Sequence, residues 1–492
     1  MRTIWVFGDQ LNRNLGALRA ADPSDTSVLL IESEALLRAP KHRQRLHLVI
    51  AAMRRFAQEL EADGFAVDLR RSPTLEAGLR AHLEQRGPTE IVATEPNGRA
   101  ARALCDRLGV TQARSDQFLC HPDDFATWAA GRSNLRLEDF YRWQRTRLGY
   151  LMDDDAPAGG RWNFDQDNRE PPPSDPSLFH DSPASPLDDL DEAVLASLPE
   201  THGHRPTGLW ATTRPEALAR LEHFLDHGLR YFGTYEDAMT RRSWSLAHSM
   251  LSPYLNLGLL LPREVCDAVE ARYRAGEAPI NSAEGFIRQV IGWREYVWGL
   301  YWLRPDMAEA NALEHHRPLP PAFTGDAQTH MRCLADTLDG LDQRAWVHHI
   351  PRLMVLSSLA NLTGVEPRSV YNWMLDRYID GAEWVMVPNV MGMGLWADGG
   401  RMASKPYVSG GAYIDRMSDY CGSCPYDPRK RTGDDACPFT TLYWDFLARH
   451  EERLRGNHRL SRPLAGMRRL GDLPAVRERA AAVLRGLDGG RI

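Results

Sequence analysis

The chain has 492 residues, of which 43% are apolar and 25% charged, and its formal net charge is −7. That length exceeds one compact core and predicts two large units or about three smaller ones. The acidic balance excludes a global attraction to nucleic acid, no apolar run reaches the roughly 18 residues of a membrane span, and the opening MRTIWVFGDQL reads as a strand rather than a signal peptide, so a cytoplasmic protein is expected.

Up to about residue 120 the pattern alternates. Short apolar runs at 4–7, 28–31, 65–69 and 91–94 read as strands. Between the second and third, Leu46, Val49, Ile50, Met53, Phe56 and Leu60 recur at helical spacing until Gly64 stops the helix. Such alternation predicts a parallel, Rossmann-like sheet with helices on its faces, and ligands at the carboxyl ends of its strands. Here those ends carry Gly8, Asp9, Gln10 and Glu32, and no G-x-G-x-x-G fingerprint follows the first strand. A polar, proline-rich stretch follows, and beyond it the sequence is helical throughout. The expected division is an α/β domain over 1–135, a linker over 136–209 and a large all-α domain over 210–492.

Seven cysteines in a reducing compartment predict thiols or metal ligands. Cys421 and Cys424 form C-x-x-C, Cys437 lies thirteen positions on, and Cys333 is the best fourth ligand in the helical part. From spacing alone, structural zinc, an iron–sulfur cluster and free buried thiols all stay open. In the run SMLSPYLNLG, residues 249–258, small hydroxyls stand before a proline. That start suits a pyrophosphate, and equally suits a simple capped helix.

That run resembles the flavin-phosphate motif of photolyases and cryptochromes. FIRQVIGWREY, residues 286–296, is similar to their helix ending in W-R-E, and DRYIDG, residues 376–381, to their flavin-clasping segment. The opening into G-D-Q-L, the His348-His349 pair ahead of Arg352 and the four cysteines resemble the iron–sulfur bacterial branch, that of the prokaryotic (6-4) photolyases. There are departures: Gly292 is an extra residue in the W-R-E helix, Gln289 replaces a common glutamate, and no three-tryptophan chain is evident.

The resemblance implies light-driven repair of a (6-4) pyrimidine photoproduct in UV-damaged DNA by a DNA photolyase (a lyase). It implies FAD held by Ser249, Leu251, Ser252, Arg294 and Asp380, with Glu383 or Asn389 beside flavin N5. It also implies a 4Fe–4S cluster on Cys333, Cys421, Cys424 and Cys437, and a 6,7-dimethyl-8-ribityllumazine antenna read by Gly8, Asp9, Gln10 and Glu32. His348 and His349 become candidate proton donors, Gln289 and Trp293 candidate lesion contacts, and Trp373 a candidate electron relay. The plain alternative is that one histidine of the pair only packs or caps a helix, and that Trp293 only packs in the core. Arg429-Lys430-Arg431 and Arg241-Arg242 are the basic runs that DNA docking would use, and a monomer is expected. The alternative functions are a blue-light sensor with the same cofactors and a zinc-stabilised nucleic-acid-binding module.

Overall fold

The computed structural model describes residues 2–87 and 89–492. Five strands form one parallel sheet: β1 (Arg2–Val6), β2 (Thr26–Ser33), β3 (Ala66–Ser72), β4 (Glu90–Thr94) and β5 (Thr111–Ala113), in the order β3-β2-β1-β4-β5. Every residue of β2 is buried, and its centre, Val28 to Ile31, is a continuous apolar run rather than an alternating one. The predicted helix is Arg43–Ala62, and it is followed by Gly64 at φ +89°, a left-handed turn that glycine adopts without penalty.

One face of the sheet packs through Arg43–Ala62 onto the helical region, so Leu46, Met53 and Phe56 share a core with Leu251, Tyr254 and Ile287. The other face holds Trp5, Leu29 and Ile31 against Leu79 and Cys105. Among the described residues no helix is long and apolar enough to cross a membrane.

The stretch 136–209, expected as a linker, contains a helix, Leu137–Leu148, that buries Phe140, Tyr141, Gln144 and Arg145. Its arginine is satisfied entirely by backbone carbonyls of Tyr150, Leu151 and Trp162. The polarity of this stretch therefore disguises an element of the core.

A central helical run spans 280–303. Its middle, Arg288–Arg294, is wound as a π-helix. Two further π segments, Pro351–Ser357 and Val387–Gly394, pack against one another. π turns are rare and gather at functional sites.

Candidate active site

The hub of the helical region is Asp380. Ser252 Oγ donates to its Oδ2 at 2.6 Å, and Arg352 grips both carboxylate oxygens at 3.0 and 3.1 Å. The amide of Asn256 donates to the Asp380 carbonyl at 3.0 Å, and Arg294 donates to Asn256 Oδ1 at 3.0 Å and to the Leu255 carbonyl at 3.1 Å. One network thus joins the 249–258 segment, the W-R-E helix and DRYIDG, three motifs far apart in sequence. Ser249 accepts from the Leu251 amide at 3.4 Å, and Met250 between them is held at φ +54°, a strained value for a side chain of its size.

Arg294 is buried, and loss of solvent pulls it down to about 10. Its guanidinium lies 4.3 Å from the Phe118 ring and 4.7 Å from Trp384. Glu383 accepts from the Tyr301 hydroxyl at 3.0 Å, and the Asn389 amide donates to the Val385 carbonyl at 2.9 Å.

A second cluster lies around the histidine pair. His348 is 4% exposed, whereas the side chain of His349 is 45% exposed and its Nε2 stands 3.7 Å from Asp237 Oδ1. Burial, with the neighbouring His248, His349 and Arg352, drives His348 well below the ordinary histidine range, so it is neutral. His248, which the sequence reading missed, stacks on His348 at 4.2 Å, and its two ring nitrogens face the carbonyls of Ser245 and Glu236. Gln289 donates to Glu236 Oε1 at 2.7 Å, which brings it to the same cluster. Trp293 is partly buried, 6.4 Å from Tyr296.

The four cysteines converge. Cys333 from the helix Arg332–Arg344, Cys421 and Cys424 from the loop, and Cys437 at the start of Pro438–Arg449 line one cavity with Tyr420 and Tyr426. Burial raises the thiols of Cys333, Cys421 and Cys437, and at Cys333 the other three sulfurs add to the effect. A Cβ on Gly411 would stand 2.8 Å from Cys437 Sγ, so that glycine keeps the cavity open. A single tetrahedral zinc with bonds of about 2.3 Å would draw its sulfurs to about 3.8 Å apart. The thiols form no such tight set: among the described residues, the group of three ligating side chains within 4.8 Å of one another is His248, His348 and His349.

At the strand ends, the Asp9 carboxylate accepts from Asn97 at 3.0 Å, and Gln10 donates to the Glu95 carbonyl at 2.9 Å. Glu32 pairs with Arg54 at 2.7 and 3.1 Å. A Cβ on Gly8 would meet Met53 Sδ at 2.9 Å. The crevice beside β1 is also crossed by the helical region, since Leu11 N bonds the Leu257 carbonyl and Gln117 bridges Asp9 to Asn256. Trp373 is buried, donates to the Phe323 carbonyl at 2.7 Å and touches the Phe323 ring. The tryptophans that do adjoin one another beside Arg294 are Trp384 and Trp298, at 5.8 Å, and then Trp302, at 5.5 Å. Spacing in sequence concealed this set, because 384 comes from a different helix.

A family model described as deoxyribodipyrimidine photo-lyase-related protein matches residues 4–208. A (6-4) photolyase of Agrobacterium fabrum is 40% identical over 507 aligned residues, covering 99% of this chain and 99% of that protein. The chain belongs to the prokaryotic (6-4) photolyase branch of the photolyase/cryptochrome superfamily. Solved structures agree on the fold: a bacterial class III photolyase from Agrobacterium tumefaciens superposes with a TM-score of 0.60 at 18% identity, covering 99% of this chain and 98% of its own. A Synechocystis cryptochrome gives 0.56 at 15% identity, covering 80% and 82%.

Photolyases and cryptochromes carry FAD, and the Asp380 network fits one. Two buried donors beside it, Arg294 Nε and the Tyr378 hydroxyl, have no hydrogen-bond partner among the described residues, and buried polar groups are rarely left so. Asp380→Asn removes the charge that holds Arg352 and weakens the acceptor of Ser252. It is expected to cost about 3 kcal/mol, as breaking a buried pair does, and to yield protein depleted of flavin, read from the ratio of flavin to protein absorbance. Full flavin content at unchanged Tm would overturn this role.

Proposed function

We propose that this photolyase repairs the (6-4) pyrimidine photoproduct of UV-damaged DNA under blue light, with His349 as proton donor. The observation that carries the choice of histidine is the contrast in burial. His348 is sealed, and burial disfavours its charged form, while His349 is half-exposed with Asp237 at 3.7 Å. Repair of this lesion returns an oxygen from one base to the other, and that step needs a proton placed at the right atom. FAD, when bound, supplies the electron. Ser252, Arg294, Asp380 and Arg352 would hold it, with Ser249 and Leu251 at its phosphates. Glu383 and Asn389 remain candidates beside flavin N5.

The protein's own part is positional. Glu236 fixes Gln289 at the cluster, and His248 stacks beneath His348, so a base flipped out of the helix meets a preset polar wall. Trp293 is proposed as an apolar contact for lesion or flavin. The wide thiol cage supports a 4Fe–4S cluster on Cys333, Cys421, Cys424 and Cys437 over a mononuclear metal. Two buried acceptors without a donor among the described residues, Gln10 Oε1 and Asn97 Oδ1, support a ribityllumazine-type ring near Asp9, since such a ring edge offers N–H groups. We place the protein in the cytoplasm, acting as a monomer. The deciding test is repair of a defined (6-4) lesion against a cyclobutane dimer under blue light. Turnover of only the dimer, or of neither, would overturn the reading, and the latter would favour a sensor.

Electron supply is proposed to run along aromatic side chains, through Trp373 or through Trp384 and Trp298. The ring contacts favour the latter, so Trp384→Phe is expected to slow photoreduction of the bound flavin more than Trp373→Phe. The reverse order would restore Trp373 as first relay. The basic runs, by contrast, are neutralised locally: Arg429 pairs with Asp427, Lys430 with Asp435, Arg431 with Asp472, and Arg242 with Asp419. Each cation that binds a phosphate contributes a salt slope of about 0.9. Removing the charges of Arg429, Lys430 and Arg431 together is therefore expected to change the slope of lesion binding by less than about one unit. A drop of two or more units would mean that these pairs open on DNA.

A further inference from the structure

A pocket of about 650 Å³ lies between the helices Pro122–Ala129 and Leu137–Leu148. None of the roles above uses it. Its wall is built from Trp128 and Trp143, with ring centroids 6.3 Å apart and planes tilted by 35°. Arg132 lies over Trp128 at 4.8 Å and Arg147 over Trp143 at 4.9 Å. Arg132 Nε is anchored on the Trp128 carbonyl at 2.8 Å, and Arg147 on Gln144 Oε1. Asp124, the acidic residue of the lining, is already paired with Arg114 at 2.8 Å. Among the described residues neither Arg132 nor Arg147 forms an ion pair with a carboxylate, whereas Arg114 and Arg142 nearby do.

Two facts about this wall point the same way. Two indoles offer flat apolar surface to a ring, and two anchored guanidiniums without a direct ion pair stand at its edge, each over its indole. Arginine stacked in this manner presents a planar fork suited to phosphate or carboxylate. The concavity is of the size that takes a small ligand rather than a strand of nucleic acid. Its inner wall continues through Phe140, 5.6 Å from Trp143, to Tyr296 and so to Trp293. We propose that this pocket binds a planar heteroaromatic anion of mononucleotide size, its ring against Trp143 and its phosphate or carboxylate on Arg132 and Arg147.

The test uses full-length protein saturated with FAD, so that the flavin site is closed to the probes. AMP and FMN are titrated calorimetrically, with adenosine and inorganic phosphate as controls. The expected result is one equivalent of AMP or FMN bound, with each control weaker by about tenfold or more. In the double variant Arg132→Ala/Arg147→Ala the affinity should fall by about tenfold or more, with flavin content and lesion repair unchanged. Trp143→Phe should keep most of the affinity and Trp143→Ala lose it. Failure of both AMP and FMN to bind, or equal binding in the double variant, overturns the proposal. So does a variant that loses affinity for a single-stranded oligonucleotide but not for the mononucleotides, which would make the wall a DNA contact instead.

Discussion

Replacing His349 with alanine is expected to lower the rate of (6-4) lesion repair by two to four orders of magnitude, the usual worth of a positioned general acid. Flavin content and dark binding of the lesion should stay close to those of the parent, because His349 is half-exposed and bonds to none of the residues of the Asp380 network. His348→Asn is expected to do less harm. The buried ring is held neutral, so its place is taken tolerably by a neutral side chain of similar reach. Its cost would come from the lost stack on His248 at 4.2 Å. Single-turnover repair under saturating light separates the two. A larger loss in His348→Asn than in His349→Ala would exchange the roles assigned to them.

The other large effect concerns the cysteine cage. Cys421→Ser should give protein that holds little iron and precipitates on expression, and Cys437→Ser should behave alike. The reason is structural. The cage ties helix Arg332–Arg344 to the loop and to Pro438–Arg449, and the latter packs against the last helix, Leu473–Asp488. A bound metal group contributes its binding free energy to folding, about 10 kcal/mol or more for structural zinc at neutral pH. Four free thiols around an opened cavity would offer nothing comparable. Metal analysis of the parent decides the group: four iron atoms per chain are expected, and one zinc per chain would replace the cluster with a mononuclear site. Cys266→Ser serves as control, since that buried cysteine lies in the helix Pro262–Arg274, and it should leave iron content unchanged.

How much of this was legible depended on how local each signal is. The strands at 4–7 and 28–31 and the helix at 46–60 were plain, because burial on one side writes itself into hydrophobic period. The fifth strand, Thr111–Ala113, was not, being three polar-to-small residues held by pairing with β4 alone. The helix Leu137–Leu148 was lost in a linker because its buried arginine and glutamine read as surface. Ser252 and Asp380 could be named from motifs, but their direct bond could not, nor the bidentate hold of Arg352, which comes from a third element. His248 carried no signal in sequence at all. Its importance arises only when the chain folds its ring onto His348. The strand-end residues show the opposite failure. Gly8, Asp9 and Gln10 occupy the expected place, yet much of their bonding is spent within the protein, on residues 95–97 and 255–258, which no pattern in the first domain discloses.

A π turn is an α-helix with one residue too many, and Gly292 sits inside the π segment Arg288–Arg294. A Cβ there would come within 3.1 Å of the Tyr141 ring, so the insertion had to be small. The added residue advances everything beyond it by about 100° around the axis. Gln289 stands before this step and Arg294 after it, so the two ends of the segment are phased independently, one toward Glu236 and the other toward Asn256. Deleting Gly292 would leave every functional side chain present while turning the arginine and tryptophan away from their partners. The helix therefore acts as a dial: one residue in its π segment sets how the side chains before it are phased against those after it.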